Sequence, residues 1–316
     1  MITVNWMKGR ALVYLGYSGG LRTTAEVIYE SNQASSQFGY SVATAGDING
    51  DGFSDVICGA YNYDNPSSNE GAAFVYLGSA IGMSASSNWN AEGNQAYTNF
   101  GLSVSTAGDV NGDGYSDVIV GAYNFDNVQT QEGAAFVFHG SANGLSTFSS
   151  WNAEGNQASA EFGNSVSTAG DVNGDGYSDV IVGAFLYDNG QTDEGISFVY
   201  YGSASGLSLT SNWTAEGNQA YVSFGSSVST AGDVNGDGFS DVIVGAYGFT
   251  NGQSEEGAAF VYHGSASGLS LTSNWNAEGN QANASFGYSV TSAGDVNGDG
   301  YSDVIIGATY FENGET

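Results

Sequence analysis

The stretch GDVNGDGYSDVIVGA, residues 108–122, sets Asp109, Asn111, Asp113 and Asp117 among Gly108, Gly112 and Gly114, then turns abruptly apolar at Val118. It returns unchanged at 170–184 and lightly varied at 46–60, 232–246 and 294–308. The leading aspartates are Asp47, Asp109, Asp171, Asp233 and Asp295, a constant step of 62 residues. A period of this length marks a solenoid, a propeller or an array, in which each repeat buries its apolar faces on its neighbours.

Composition narrows the choice. The 316 residues include 49 Gly and 1 Pro, with Tyr, Phe, Val and Ala supplying the apolar part. Glu, Lys, Leu and Arg are scarce, which favours strands and turns over helices. Against 33 acidic residues stand 3 basic ones, for a net charge of -30. Such a chain cannot neutralise phosphates, which excludes nucleic acid as a partner. Anionic membrane surfaces would repel it, and no stretch is long and apolar enough to span a bilayer. The charge calls for counter-cations. At 41% hydrophobic residues the chain can build a core and is not expected to be disordered. Cys58 stands where the other repeats have Val120, Val182, Val244 and Ile306, so it is expected to be a small buried hydrophobe. Met1–Gly20 shows no leader-peptide pattern.

Within the unit 100–161, FGLSVSTAGD reads as a first strand and DVIVGAY as a second, buried on both faces. EGAAFVFHG reads as a third, and SSWNAEG as a shorter, more polar fourth. Glycine- and asparagine-rich turns separate them. Four strands per repeat, apolar inside and polar outside, predict a propeller blade. The fold class expected is all-β: repeats at 38–99, 100–161, 162–223 and 224–285, a half blade at 9–37 and another at 286–316. The two halves are complementary, and one blade would be shared between the chain ends. An open array of the same blades is the alternative.

Phe100-Gly101, the acidic loop 109–117 and Gly121-Ala122, repeated in this order and spacing, resemble the FG-GAP repeat of integrin alpha-chain heads. The resemblance covers nearly the whole chain. It implies a calcium-binding, non-enzymatic β-propeller of adhesion or recognition, extracellular or at the cell surface. Two departures stand out. The proline usual after GA is replaced by Tyr61, Tyr123, Phe185, Tyr247 and Thr309, and integrin heads have seven blades where this chain holds material for five.

The acidic loop carries oxygen side chains at positions 1, 3, 5 and 9, a backbone carbonyl is available at position 7, and glycine at position 6 permits a sharp turn. Hard oxygen donors in a flexible loop suit Ca²⁺ better than Mg²⁺ or Zn²⁺. The candidate ligands are Asp47, Asn49, Asp51, Phe53 and Asp55; Asp109, Asn111, Asp113, Tyr115 and Asp117; Asp171, Asn173, Asp175, Tyr177 and Asp179; Asp233, Asn235, Asp237, Phe239 and Asp241; and Asp295, Asn297, Asp299, Tyr301 and Asp303. An EF-hand is excluded, because it needs a glutamate at position 12 between helices, and position 12 is Val120 between strands. A metal-free Asx turn is the competing reading. Five copies of a loop whose three carboxylates repel one another favour the ion. About five Ca²⁺ would bring the net charge from -30 to about -20.

The calcium loops join strands 1 and 2 and fall on one face. The 2–3 and 4–1 connections fall on the opposite face and vary from copy to copy, so that face is the expected site for a protein or glycan ligand. Tyr63, Tyr97, Phe125, Tyr187, Tyr221 and Phe249 are its candidate aromatics, unless they only cover loop bases. His139 and His263 are expected at solvated strand ends. Glu30, Glu92, Glu154, Glu216 and Glu278 recur in every copy, as structural residues do. Asn212 and Asn283 begin weak glycosylation sequons. No catalytic constellation emerges. A lectin, a head-to-tail fibre subunit and, least favoured, a polysaccharide-active enzyme are the other functions considered.

Overall fold

The computed structural model describes residues 8–312. The end of the C-terminal half blade, residues 313–316, lies outside the described residues. Among those residues there are 22 strands and no helix.

At the N-terminal end β1 (Ala11–Val13) pairs with β4 (Val27–Tyr29), and the short hairpin β2 (Gly16–Tyr17) and β3 (Gly20–Leu21) lies between them. Four four-stranded antiparallel sheets follow. The first blade is β5 (Val42–Gly46), β6 (Asp55–Ala60), β7 (Ala72–Tyr76) and β8 (Trp89–Glu92). The second is β9 (Val104–Gly108), β10 (Asp117–Ala122), β11 (Ala134–Phe138) and β12 (Trp151–Glu154). The third is β13 (Ser165–Gly170), β14 (Asp179–Ala184), β15 (Ile196–Tyr200) and β16 (Trp213–Glu216). The fourth is β17 (Phe224–Gly232), β18 (Asp241–Ala246), β19 (Ala258–Tyr262) and β20 (Trp275–Glu278). A final pair, β21 (Phe286–Gly294) and β22 (Asp303–Ala308), ends the described chain. In each blade the strands lie side by side in chain order.

The core is a series of layers between blades. Ile57, Ala73 and Val75 of the first blade pack on Val104, Val118, Val120 and Phe138 of the second, and the same sets recur at each later step. Strands β10, β14 and β18 are buried along their whole length, as the apolar DVIVGA runs predict. Cys58 is buried in the layer between the N-terminal pair and the first blade, and burial pushes its thiol up to about 12. The bland reading of that cysteine holds.

The FG and GA motifs meet. Gly101 donates its N–H to the Gly121 carbonyl at 2.9 Å, and Gly121 donates to Ser103 at 2.9 Å. Gly121 also lies under the carbonyl of Gly163 in the next blade, where a Cβ would fall 1.9 Å from the oxygen. Only glycine fits that approach.

The two end faces are open. Val42 is 60% exposed, whereas its counterparts Val104, Val166, Val228 and Val290 are 5–7% exposed. Ile305 is 59% exposed, whereas Ile57, Ile119, Ile181 and Ile243 are fully buried.

Candidate metal centre

The second blade shows how the acidic loop folds. Asp109 Oδ1 accepts N–H groups from Gly112 (2.7 Å) and Asp113 (3.1 Å), and Oδ2 accepts from Gly114 (2.8 Å). Asn111 accepts from the Asp113 N–H and donates to Asp113 Oδ2, both at 3.0 Å. Asp113 Oδ1 accepts from the Tyr115 N–H at 3.0 Å. Gly112 and Gly114 have φ of 71° and 89°, left-handed values that let the chain wrap around Asp109. The other four loops repeat this pattern from Asp47, Asp171, Asp233 and Asp295.

Position 9 behaves differently. Asp55, Asp117, Asp179 and Asp241 are fully buried. Asp117 Oδ2 accepts from the Val110 N–H (2.9 Å), and Oδ1 from the Gly140 N–H (2.8 Å), which ties the loop to the connection after strand 3. Burial pushes the Asp117 and Asp179 carboxyls up to about 7, against the pull of those N–H groups, and repulsion from positions 5 and 1 adds to the rise. Asp55 and Asp241 are raised with burial again the first cause. Asp295, at the open end, is held below the usual carboxylate range, chiefly by the Gly300 N–H.

The donor chemistry fits a hard divalent cation, because every loop gathers three carboxylates and an amide oxygen within nine residues and offers no sulfur or imidazole. Ionised carboxylates have about four lone-pair sites each, and Asp109, the most engaged, uses three. Among the described residues, no three His, Cys, Asp or Glu side chains converge to hold an ion. Positions 1 and 5 stand on the exposed side of the turn, and position 9 stands inside.

The loops are joined across blades. Ser178 donates its N–H to the Asp109 carbonyl at 3.0 Å, and the Asp109 N–H donates to Ser178 Oγ at 3.2 Å. Ser116 with Asp47, Ser240 with Asp171 and Ser302 with Asp233 make the same carbonyl bond at 2.9 Å.

On the opposite face the aromatic candidates divide. Tyr97 and Tyr221 are 61% and 65% exposed at loop tips with positive φ. Tyr63, Phe125, Tyr187 and Phe249 instead pack edge-on against Phe74, Phe136, Phe198 and Phe260, with ring centroids 5.6–5.9 Å apart. These four cover loop bases. His139 is also not solvated as expected: it is half-buried beside Asn111 (3.3 Å), and burial lowers its pKa. His263 is half-buried too. Asn212 is engaged by the Tyr201 N–H at 2.9 Å.

Two sets of residues explain the fixed parts of this face. Gln95 accepts from the Asp126 N–H (2.9 Å) and donates to the Asp126 carbonyl (2.8 Å), which clasps one blade to the next. Gln33, Gln157, Gln219 and Gln281 do the same. The sequence reading missed Glu132, Glu194 and Glu256, buried carboxylates that close the 2–3 loops by accepting backbone N–H groups such as those of Asn127 (2.9 Å), Asn189 (2.7 Å) and Asn251 (2.7 Å). Their signal was present: an acidic residue precedes the glycine of every EGAAF-like strand.

The FG-GAP repeat family model matches residues 38–76, 100–138, 162–200, 224–262 and 286–316. The chain is 34% identical to integrin alpha-V of Gallus gallus over 219 residues, 66% of this chain and 20% of that one. It is 32% identical to integrin alpha-5 of Xenopus laevis over 212 residues, 62% of this chain and 20% of that one. It is 36% identical to integrin alpha-PS2 of Drosophila melanogaster over 169 residues, 49% and 12%. The matched region is thus a fifth or less of each relative's length.

Proposed function

The chain belongs to the FG-GAP repeat family, and from that premise we propose that it is a calcium-binding β-propeller module of adhesion or recognition, extracellular or at the cell surface. The observation that carries this reading is the contrast between faces. Five near-identical acidic loops occupy one face, and the other carries loops that vary in sequence and present Tyr97 and Tyr221. A protein or glycan ligand would sit on the second face. Each ion would be held by the side chains at positions 1, 3, 5 and 9 with the carbonyl of position 7, which requires the outer carboxylates to move toward position 9. Calcium would supply charge compensation and cross-link the turn. We read the module as non-enzymatic: of its 3 basic residues, Arg10 and Arg22 are engaged with Glu30 and Glu26.

The open end faces carry a second arm of the proposal, assembly through a split blade. Ile57 pairs with Val75 and Ile119 with Val137 in their blades. Stepping by the repeat, β22 would pair with β1 through Ile305 and Val13, and Ile305 would cover Val42. Arg10 and Glu312 fall on opposite halves.

Calorimetry on chelator-treated protein tests the metal reading. Uptake of about five equivalents is expected, with a fall in melting temperature in EDTA as binding free energy is lost from folding. Asp113→Ala removes one equivalent. No uptake, with an unchanged melting temperature, overturns the reading.

A further inference from the structure

Three cavities recur at equivalent places between blades. The first, of about 360 Å³, lies between β8 and the second blade, and is lined by Glu92, Asn94, Phe136 and Ser149. Another, of about 510 Å³, carries Glu216, Asn218, Phe260 and Ser273, each 124 residues further on. The third, of about 550 Å³, carries Glu30, Asn32, Phe74 and Ser87, each 62 residues earlier. Tyr97 and Tyr221 line none of them.

The four residue types make a defined surface. Each carboxylate is fixed by one donor: Glu92 by Asn65 Nδ2 at 3.0 Å, Glu216 by Asn189 Nδ2, and Glu30 by Arg10 Nε at 2.7 Å. Fixed in this way, each keeps lone pairs for a further donor. Asn94 donates its amide N–H to the Glu92 carbonyl at 2.8 Å, and Asn218 to Glu216 at 3.2 Å, so in each the amide oxygen is the group left to accept. Phe136 and Phe260 are half-buried and held in place edge-on by Phe125 and Phe249. The serine supplies a hydroxyl that donates or accepts.

The carboxylate and the net charge of -30 exclude an anion. Two acceptors, a hydroxyl and an aromatic face match a ligand with several O–H groups on one side and C–H groups on the other. The volumes fall in the range of about 300–1,000 Å³ usual for small-molecule sites.

We propose that these inter-blade cavities are binding sites for neutral monosaccharide units, taken up by the Glu–Asn–Phe–Ser set at each site. The hydroxyls donate to the carboxylate and amide oxygen, and the pyranose C–H face rests on the phenylalanine. Several such sites on one rigid chain would give avidity toward a polyvalent glycan surface without strong single-site affinity. The inference stands whether or not the loop face binds a protein.

The test is saturation-transfer NMR on the calcium-treated protein with the methyl glycosides of glucose, galactose, mannose, N-acetylglucosamine, N-acetylgalactosamine, xylose and fucose at millimolar concentration. Transfer to at least one is expected. The triple variant Glu30→Ala/Glu92→Ala/Glu216→Ala should weaken its binding about tenfold or more, since each site loses charge-assisted hydrogen bonds. Calcium uptake should stay unchanged, which separates this outcome from failure of the metal reading. Should that variant melt early, Glu→Gln at the same positions keeps the shape and should still weaken binding several-fold. Transfer to none of the seven, or binding that neither variant weakens, overturns the proposal.

Discussion

Gly121 and Glu161 show how much single residues decide. At Gly121 a methyl group has nowhere to go, because the Gly163 carbonyl of the next blade occupies its place. Gly121→Ala is expected to cost about 1–3 kcal/mol through overpacking, read as a lower urea midpoint with an unchanged m-value. A midpoint equal to wild type would show that the blades separate freely. Glu161 lies in the connection between the second and third blades. Burial, helped by repulsion from Asp193, pushes its carboxyl up to about 7. A folded-state pKa above the unfolded one means that the folded state holds the proton more tightly. The stabilisation from this group is therefore present below the ordinary carboxylate range and is lost as pH rises through about 7. Glu161→Gln should accordingly gain in melting temperature over wild type as pH is raised from 4.5 toward 8. A gap that stays flat with pH would remove the effect. Residues of this kind were only partly legible in the sequence. The acidic loop announced itself through spacing, and Cys58 through its valine counterparts. The clasp made by Gln95 did not, because its partner is backbone and the residue there is Asp64, Asp126, Asp188, Thr250 or Glu312. A side chain that reads a peptide group leaves no complementary letter.

Strand order followed from period and polarity, and the nine-residue first strands β17 and β21 fall one residue short of the ten read from the sequence, while the third and fourth strands are shorter than read. In the second blade β9 starts only at Val104, because Phe100 and Gly101 form a turn held by Asn99 and Gly121. The fourth strand is short and polar, yet it carries a stitch between blades that polarity alone would not suggest. Trp151 donates Nε1–H to the Ser208 carbonyl of the next blade at 2.9 Å, and Trp89 and Trp213 do so to Ser146 and Ser270 at the same distance. Trp151→Phe keeps most of the packing and loses the bond, so a loss of about 1 kcal/mol is expected. Thermal unfolding measures it, and Trp213→Phe should give the same value. Unequal losses would mean that packing rather than the bond dominates.

The described residues present two faces built to the pattern of the interfaces that bury Val104, Val166, Val228 and Val290, one around Val42 and one around Ile305. In a Cys58→Val background, Val13→Cys with Ile305→Cys should form a disulfide on oxidation if β22 pairs with β1. Closure within one chain has the higher effective concentration, so the expected product is a cross-linked species at 32.4 kDa whose mass is constant on dilution. A ladder of multiples would instead show chains joined head to tail, in an open helix where the step does not close. No cross-link at all would remove the split blade.

The loop-to-loop bonds from Asp47 to Ser116, Asp109 to Ser178 and Asp171 to Ser240 use the same atoms at every step. Any blade can therefore sit beside any other. In an open array a 62-residue repeat added or removed whole would leave every remaining interface one that the protein already uses. Lengthening such an array needs no new contact to be invented, whereas a ring closed through its split blade would have to re-form its closing contact at a different angle.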